Sequence, residues 1–330
     1  MRAYSVVAGR VASISIDEAG ARIRKCLESP TLPVTGAEEP PVWLDIVGPD
    51  AEEGEFLRGL GIHHLAVEDC LRGRQRPKVD RFGSHLLLVT YAAHINPDRN
   101  RVAFTELHMV LGSGFVITVR DHSIPEIRTV LARWRASPDY FREVGHLTHA
   151  LVDNVVDHYF PILEHFAERV AQLETTIFEG EHSQEAMQSI LALRRELVLF
   201  RRVVGPERDM LGDVLRRDLP FLHPDLIPYF MDVRDHAMRI AEELDVLREL
   251  LAATFEGQLS LASNQLNVTV RMMTAWSIIL MTMAVVAGVY GMNFSHMPEL
   301  TWRYGYVFAL AIMLGAGGAL FTFFRRRDWI

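Results

Sequence analysis

The chain has 330 residues, of which 49% are hydrophobic and 23% charged, with a formal net charge of −8. An acidic balance of this size disfavours nucleic-acid binding and is compatible with handling cations. Two cysteines, Cys26 and Cys70, are too few and too isolated for a disulfide framework or a structural zinc site.

Met1 to Arg10 holds one short apolar patch broken by Gly9, so no signal peptide is predicted. Residues 4–7 and 11–16 read as short strands split by Gly9-Arg10. The stretch 28–41 is rich in Pro, Gly and Glu and reads as a loop. Val42-Trp43-Leu44-Asp45-Ile46 reads as a buried strand. Pro49 and the acids Asp50, Glu52 and Glu53 open a helix, with negative charge at its positive end. A second helix is predicted over 63–71. Strands near 85–95, 101–110 and 115–120 follow, and their short links predict antiparallel pairing.

A helix is predicted from 123 to 135, then long helices over 144–179 and 184–204 as an antiparallel pair across Gly180-Glu181-His182-Ser183. Gly205-Pro206 is expected to end the second, before a short helix over 207–217 and a turn-rich link over 219–224. Asp153 and Asp157 stand four residues apart on one helix face, with His149, His158 and His165 near them. A carboxylate–imidazole metal cluster and an ordinary solvated face both fit this spacing. No HExxH or Cys-pair spacing points to catalytic zinc, and no Gly-rich phosphate loop or nucleophile elbow points to an enzyme.

From Met231 to Met272 there is no Pro and one Gly, Gly257. Val233, Ala237, Ile240, Leu244, Leu247, Leu251, Thr254, Gln258, Leu261, Gln265, Val268 and Met272 alternate steps of four and three, which is a heptad seam. A helix this polar cannot bury its seam alone and should pack on other helices or on copies of itself. Unbroken to Tyr290, it would hold about 60 residues and reach roughly 90 Å.

Met272 to His296 and Tyr304 to Phe324 are uncharged runs, counting His as neutral, and each is long enough to cross a bilayer as a helix. Their short connection makes them a hairpin. Arg271 precedes the first span and Arg325, Arg326 and Arg327 follow the second, while the connection holds Arg303 alone. The positive-inside rule then places both chain ends in the cytoplasm, in a multi-pass protein of the cytoplasmic membrane. The expected organisation is a cytoplasmic α/β domain (1–143), cytoplasmic helical layers (144–225), a stalk helix (226–271), a first transmembrane helix (272–290), an outer loop (291–303), a second transmembrane helix (304–324) and a basic tail (325–330).

One hairpin has no interior, so transport would need a closed ring of subunits. Asn267, Val270, Thr274, Ser277, Met281, Ala284 and Gly288 follow one another at three or four residues and share a narrow, small, uncharged face. Close helix–helix packing through small residues explains such a stripe equally well.

Tyr290-Gly291-Met292-Asn293-Phe294 closes the first span, and Met297-Pro298-Glu299-Leu300 follows. This resembles the CorA family of divalent-cation channels, whose signature is a Gly-Met-Asn tripeptide at this boundary. Trp43-Leu44-Asp45, Leu65-Ala66-Val67-Glu68-Asp69, Gln75-Arg76-Pro77-Lys78 and the stretch from Tyr229 to His236 are also similar to that family, so the likeness covers essentially the whole chain.

The resemblance implies a mixed sheet between helical layers, a stalk, and a funnel-shaped homopentamer whose central pore is lined by the first span. Gly291, Met292 and Asn293 would form the selectivity filter, where the Asn293 carbonyls meet the ion with its water shell still on. Magnesium sheds water reluctantly, and an amide ring hydrogen-bonds to that water without demanding dehydration. Gly291 and Asn293 also suit a plain helix cap at positive φ. Glu299 in the outer loop would concentrate cations. The family's inward positions match Asn267, Val270, Met273 and Met281, so the phase differs by one residue from the stripe through Thr274. With Ser277, Ala284 and Gly288 they complete the implied lining.

The resemblance further implies that Asp232 meets Asp69 of a neighbouring subunit through a regulatory magnesium, with Glu68 and Asp153 as candidates for an adjacent site. The expected function is passive magnesium transport, with cobalt and nickel also passing, gated by intracellular magnesium. Related two-span proteins move zinc, some with proton coupling, and that is the first alternative. A membrane-anchored structural or sensory protein without transport is the second. The expected partners are copies of the chain, the lipid bilayer and divalent cations, with no nucleic acid and no organic substrate.

Overall fold

The structure is a computed structural model that describes residues 1–28, 39–96, 100–178, 184–216, 219, 223–292, 297 and 302–330. It divides into two compact units, Met1–Ala252 and Ala253–Ile330.

In the first unit, β1 (Arg2–Val7) and β2 (Arg10–Ile14) form an antiparallel hairpin. Its turn residues Ala8 and Gly9 both take positive φ, 50° and 75°, the geometry that matches the twist of a two-residue hairpin. The expected strand over 11–16 stops at Ile14, and α1 (Ile16–Glu28) follows. The Ser15 hydroxyl accepts from the Glu18 N–H at 3.1 Å, so Ser15 opens this helix, and Ala19, Gly20 and Ile23 bury one face of it. β3 (Val42–Val47) lies where a buried strand is expected.

Asp50 caps α2 (Ala51–Gly59) with a full capping box: its side chain accepts from the Glu52 and Glu53 N–H groups, and Glu53 accepts from the Asp50 N–H. α3 (His64–Arg72) leads into β4 (Lys78–Phe82), an edge strand that the sequence reading missed. β5 (His85–Asn96), β6 (Arg101–Gly112) and β7 (Phe115–Arg120) form the expected antiparallel meander. The described strands make one seven-stranded sheet in the order β2-β1-β3-β7-β6-β5-β4, in which β3 and β7 run parallel and the other neighbours antiparallel.

The alternation of β3 shows how the layers form. Val42, Leu44 and Ile46 join Ala19 and Ile23 of α1, Leu57 of α2 and Val67 and Cys70 of α3 in one apolar core. Trp43 points to the other face, where its ring lies 6.0 Å from that of Trp134 on α4 (Pro125–Ala136). Asp45 shares that second face, buried with Arg120. Both faces of β3 are covered, so it reads as a continuous buried run rather than an alternating one.

The expected helix over 144–179 is two, α5 (Val144–Asp157) and α6 (Tyr159–Phe178). Pro161 has no N–H to offer the Asp157 carbonyl, and its ring crowds that carbonyl, so the chain re-enters helix after His158. The opposite correction applies to α7 (Gln184–Arg216), which runs through Pro206 instead of ending at Gly205-Pro206. Val203, Val204, Glu207, Met210 and Leu211 are all buried, and this packing outweighs the lost hydrogen bond. The separate helix expected over 207–217 is thus the end of α7, and the expected link 180–183 lies outside the described residues.

α8 (Ile227–Tyr290) is one helix of 64 residues that enters the second unit after Ala252. Within the first unit Val233, Ala237, Ile240 and Leu244 of its seam are buried, and Arg201 of α7 pairs with Asp245 at 3.0 Å. In the second unit α8 and α9 (Gly305–Arg325) pack through Ala275, Ile279 and Phe324, with Trp276 beside Phe321 at 6.1 Å between rings. The apolar part of α8 and the whole of α9 are each long and apolar enough to cross a membrane. After α9, Trp329 stacks on Phe324 at 5.4 Å, and the Arg327 guanidinium lies 5.1 Å from the centre of the Phe323 ring.

Candidate functional site

Ala275 and Ile279 turn one face of α8 towards α9. Successive α-helical residues are about 100° apart, so a residue two positions on from Ala275 lies on the far side of the helix. Ser277 is that residue, and Asn267, Val270, Met273, Met281, Ala284 and Gly288 share its side, all exposed within the chain. Met281, for example, is 66% exposed. The face carries no charge and narrows to Ala and Gly towards the end of the helix. Thr274 is exposed as well, but its hydroxyl donates to the Val270 carbonyl at 2.7 Å and is committed to the backbone.

α8 ends at Tyr290, where the Gly291 N–H donates to the Ala287 carbonyl at 3.0 Å and the Met292 N–H to that of Val289 at 3.3 Å. Gly291 does not take the positive φ expected of a glycine cap. A Cβ there would stand 3.2 Å from the Ala287 carbonyl oxygen, so glycine serves close approach of backbone. Asn293 and Glu299 lie outside the described residues.

The acidic candidates fall into two neighbourhoods. Asp69 and Glu68 stand on α3. Asp69 Oδ2 is 2.8 Å from Lys78 Nζ, and Glu68 pairs with Arg72 at 2.5 Å. The second neighbourhood forms where α5 meets the start of α8. There His236 Nδ1 lies 3.2 Å from Asp157, and its Nε2 lies 3.8 Å from Asp232. Asp153, one turn before Asp157, pairs with Arg133 at 3.7 Å. Burial raises the Asp153 carboxyl above its ordinary range against the opposing pull of His149, and Asp157 raises it further. His149 is itself buried between the Tyr229 and Phe230 rings, and desolvation lowers it. Among the described residues no ion pair or hydrogen bond joins Asp69 to Asp232 within the chain.

The oxygen donors suit a hard cation. Within one chain they do not assemble: among the described residues no three His, Cys, Asp or Glu side chains form a metal-holding group. Asp232 is the freest, with 69% of its side chain exposed. A shared ion would therefore need a second copy to complete its ligands. His236 escaped the sequence reading, although its position one turn after Asp232 was visible. The Lys78–Asp69 pair could not be read from spacing, since it joins a strand to a helix through their tertiary packing.

The family described as CorA-like Mg2+ transporter protein matches residues 38–326. The chain is 30% identical over 297 residues to the cobalt/magnesium transport protein CorA of Thermotoga maritima, covering 88% of this chain and 84% of that protein. It is 20% identical over 291 residues to the zinc transport protein ZntB of Yersinia pseudotuberculosis, covering 88% of each. In structure it is similar to the CorA magnesium transporter of Methanocaldococcus jannaschii, with a TM-score of 0.83 at 21% identity over 100% of this chain and 98% of that one.

Proposed function

The chain belongs to the CorA-like Mg2+ transporter family, and from that premise we propose that it is a passive magnesium channel of the cytoplasmic membrane, gated by intracellular magnesium. Divalent-cation transport is the activity of the family; members are transporters and not enzymes. The observation that carries the finer reading is the exposed, uncharged face of α8 opposite α9, running from Asn267 to Gly288 and ending at Gly291.

Five copies around an axis would turn this face inward and make it the wall of a pore. Gly291, Met292 and Asn293 would form the outer mouth. A ring of amides there binds first-shell water of the ion without stripping it, which suits magnesium and passes cobalt and nickel with little discrimination. Glu299 would concentrate cations ahead of that ring. Below it, Val270, Met273 and Met281 would close the path by dewetting. The arginines after α9 would hold both chain ends in the cytoplasm, so the membrane potential drives entry, each charge being worth ~2.3 kcal/mol per 100 mV.

For regulation, Asp232 of one copy would face Asp69 of the next. Two close carboxylates repel, and a divalent cation reverses the sign of that interaction. Glu68 and Asp153 would contribute to a neighbouring position. Loss of the ion would loosen contacts between copies, linking site occupancy to the state of the pore.

Zinc transport is the second reading, favoured by the likeness to ZntB across 88% of the chain. The test is uptake into liposomes under an inside-negative potential, with magnesium, cobalt and zinc offered separately, beside an Asn293→Ala variant. Saturable magnesium entry without a proton gradient, lost in the variant, is expected. Zinc entry that follows an imposed proton gradient, with little magnesium entry, selects the second reading. No entry of any ion leaves the anchored structural or sensory protein.

A further inference from the structure

The carboxyl ends of β3 and β7, the one parallel pair of the described sheet, open on a cavity of about 340 Å³. Val47, the last residue of β3, and Arg120, the last of β7, both line it. In open α/β sheets the crevice beyond the carboxyl ends of parallel strands is where ligands bind. The size is at the lower end of the roughly 300–1,000 Å³ range of small-molecule pockets.

The charge of the lining runs against that of the chain. Arg2 at the start of β1, Arg120, and Arg128 on α4 supply three guanidiniums, and Asp45 one carboxylate. Both terminal nitrogens of Arg120 go to Asp45, Nη2 at 3.0 Å from Oδ2, and the pair is buried. Arg120 is 4% exposed, yet its Nε has no partner among the described residues. Arg2 and Arg128 are exposed and make no ion pair with any described residue. Neither Asp121 nor Glu126, the acids nearest in sequence, lines the cavity; Glu126 turns inward and is 1% exposed. The surplus from the lining side chains is therefore two positive charges. Val47, Ile127 and Leu131 give the same cavity an apolar side.

We propose that this cavity binds a small phosphate monoester, with the phosphate between Arg2 and Arg128 and the organic part along Val47, Ile127 and Leu131. Two guanidinium forks match a dianionic phosphate in both charge and geometry. The buried Asp45–Arg120 pair holds the base of the site rigid and is not spent on the ligand. The ligand is a bound effector and not cargo, so the assignment stands apart from the transport reading.

The test is calorimetric titration of the purified full-length protein at fixed free magnesium. The probes are adenosine monophosphate, glucose 6-phosphate and inorganic phosphate. Saturable binding of one ester is expected, at least about tenfold tighter than inorganic phosphate, and which ester binds separates a nucleotide source from a sugar source. Arg2→Ala and Arg128→Ala should each weaken it about tenfold, the usual loss for a charged hydrogen bond. Arg128→Lys should lose less. Both side chains are exposed, so the unliganded variants should melt with the parent. Absence of saturable ester binding overturns the proposal. So does an affinity no better than that of inorganic phosphate, or binding that survives in both alanine variants.

Discussion

Lys78 Nζ lies 2.8 Å from Asp69 Oδ2 and also 2.8 Å from Asp80 Oδ2. The carboxylate proposed to meet a regulatory magnesium is already held by a cation of its own chain. An ion arriving there would have to displace that ammonium, so Lys78 would act as a tethered competitor. A partly exposed pair is worth on the order of 1 kcal/mol, which corresponds to a shift of roughly fivefold. Lys78→Met should lower the magnesium concentration giving half-maximal protection from proteolysis by about that factor. An unchanged midpoint in a variant that still shows protection would remove Lys78 from the regulation.

Asp232→Lys should weaken inhibition of flux by intracellular magnesium. The substitution puts a fixed positive charge where the ion would bridge two subunits, and the 69% exposure of the side chain makes a folding defect a poor explanation. Flux assays across internal magnesium concentrations should show a right-shifted or absent inhibition curve. Inhibition matching the parent would sink the assignment of Asp232.

Glu207 makes the first unit sensitive to pH. It is fully buried on α7 and accepts from the Thr90 hydroxyl at 2.7 Å, while its second oxygen has no partner among the described residues. Burial pushes its carboxyl up to about 8, and the Thr90 hydrogen bond pulls the other way. The same glutamate ionises near ~4.3 in the unfolded chain. The folded protein thus keeps a proton that the unfolded chain releases. Its contribution to stability is complete below about pH 4 and is lost as pH rises through about 8. Thermal midpoints should fall across that window, and Glu207→Gln should flatten the fall. Equal slopes in the two proteins would show that the carboxyl is ionised when folded.

Gly317 on α9 separates size from mere presence of a side chain. A Cβ there would meet Met283 Sδ at 3.5 Å and Ile279 Cγ2 at 3.9 Å, which is ordinary contact. Gly317→Ala should be tolerated. Gly317→Leu should force the α8–α9 pair apart and cost about 1–3 kcal/mol. The contrast can be read in detergent melts of the two variants, and equal melts would mean that the hairpin is packed elsewhere.

How much could be read from the sequence depended on the range of the causes. The meander β5–β7 was visible because short links bound three runs of apolar and β-branched residues. α2 was visible because Asp50, Glu52 and Glu53 announce a helix start. α1 was missed although Ile16, Ala19, Ile23 and Leu27 stand at helical spacing and pack on the core, because residues up to 16 read as a strand and left the helix without its start. Pro161 and Pro206 show why a local rule fails alone. The first breaks a helix, and the second lies within one whose buried side continues through it. The stripe on α8 was visible from its three- and four-residue steps, but that it faces away from α9 depends on Ala275 and Ile279, and therefore on packing.

Charge on β4 has a consequence beyond the metal. This strand is the last of the described sheet, and a sheet edge is a place where another chain can add a strand. Lys78, Asp80 and Arg81 place three charges along its five residues, and Pro77 precedes them. A second copy arriving edge-on would strip these charges of part of their hydration. Strand addition at this edge is thereby discouraged. The seam of the long helix beyond Gln258 carries no such charges: Leu261, Gln265, Val268 and Met272 are exposed and uncharged.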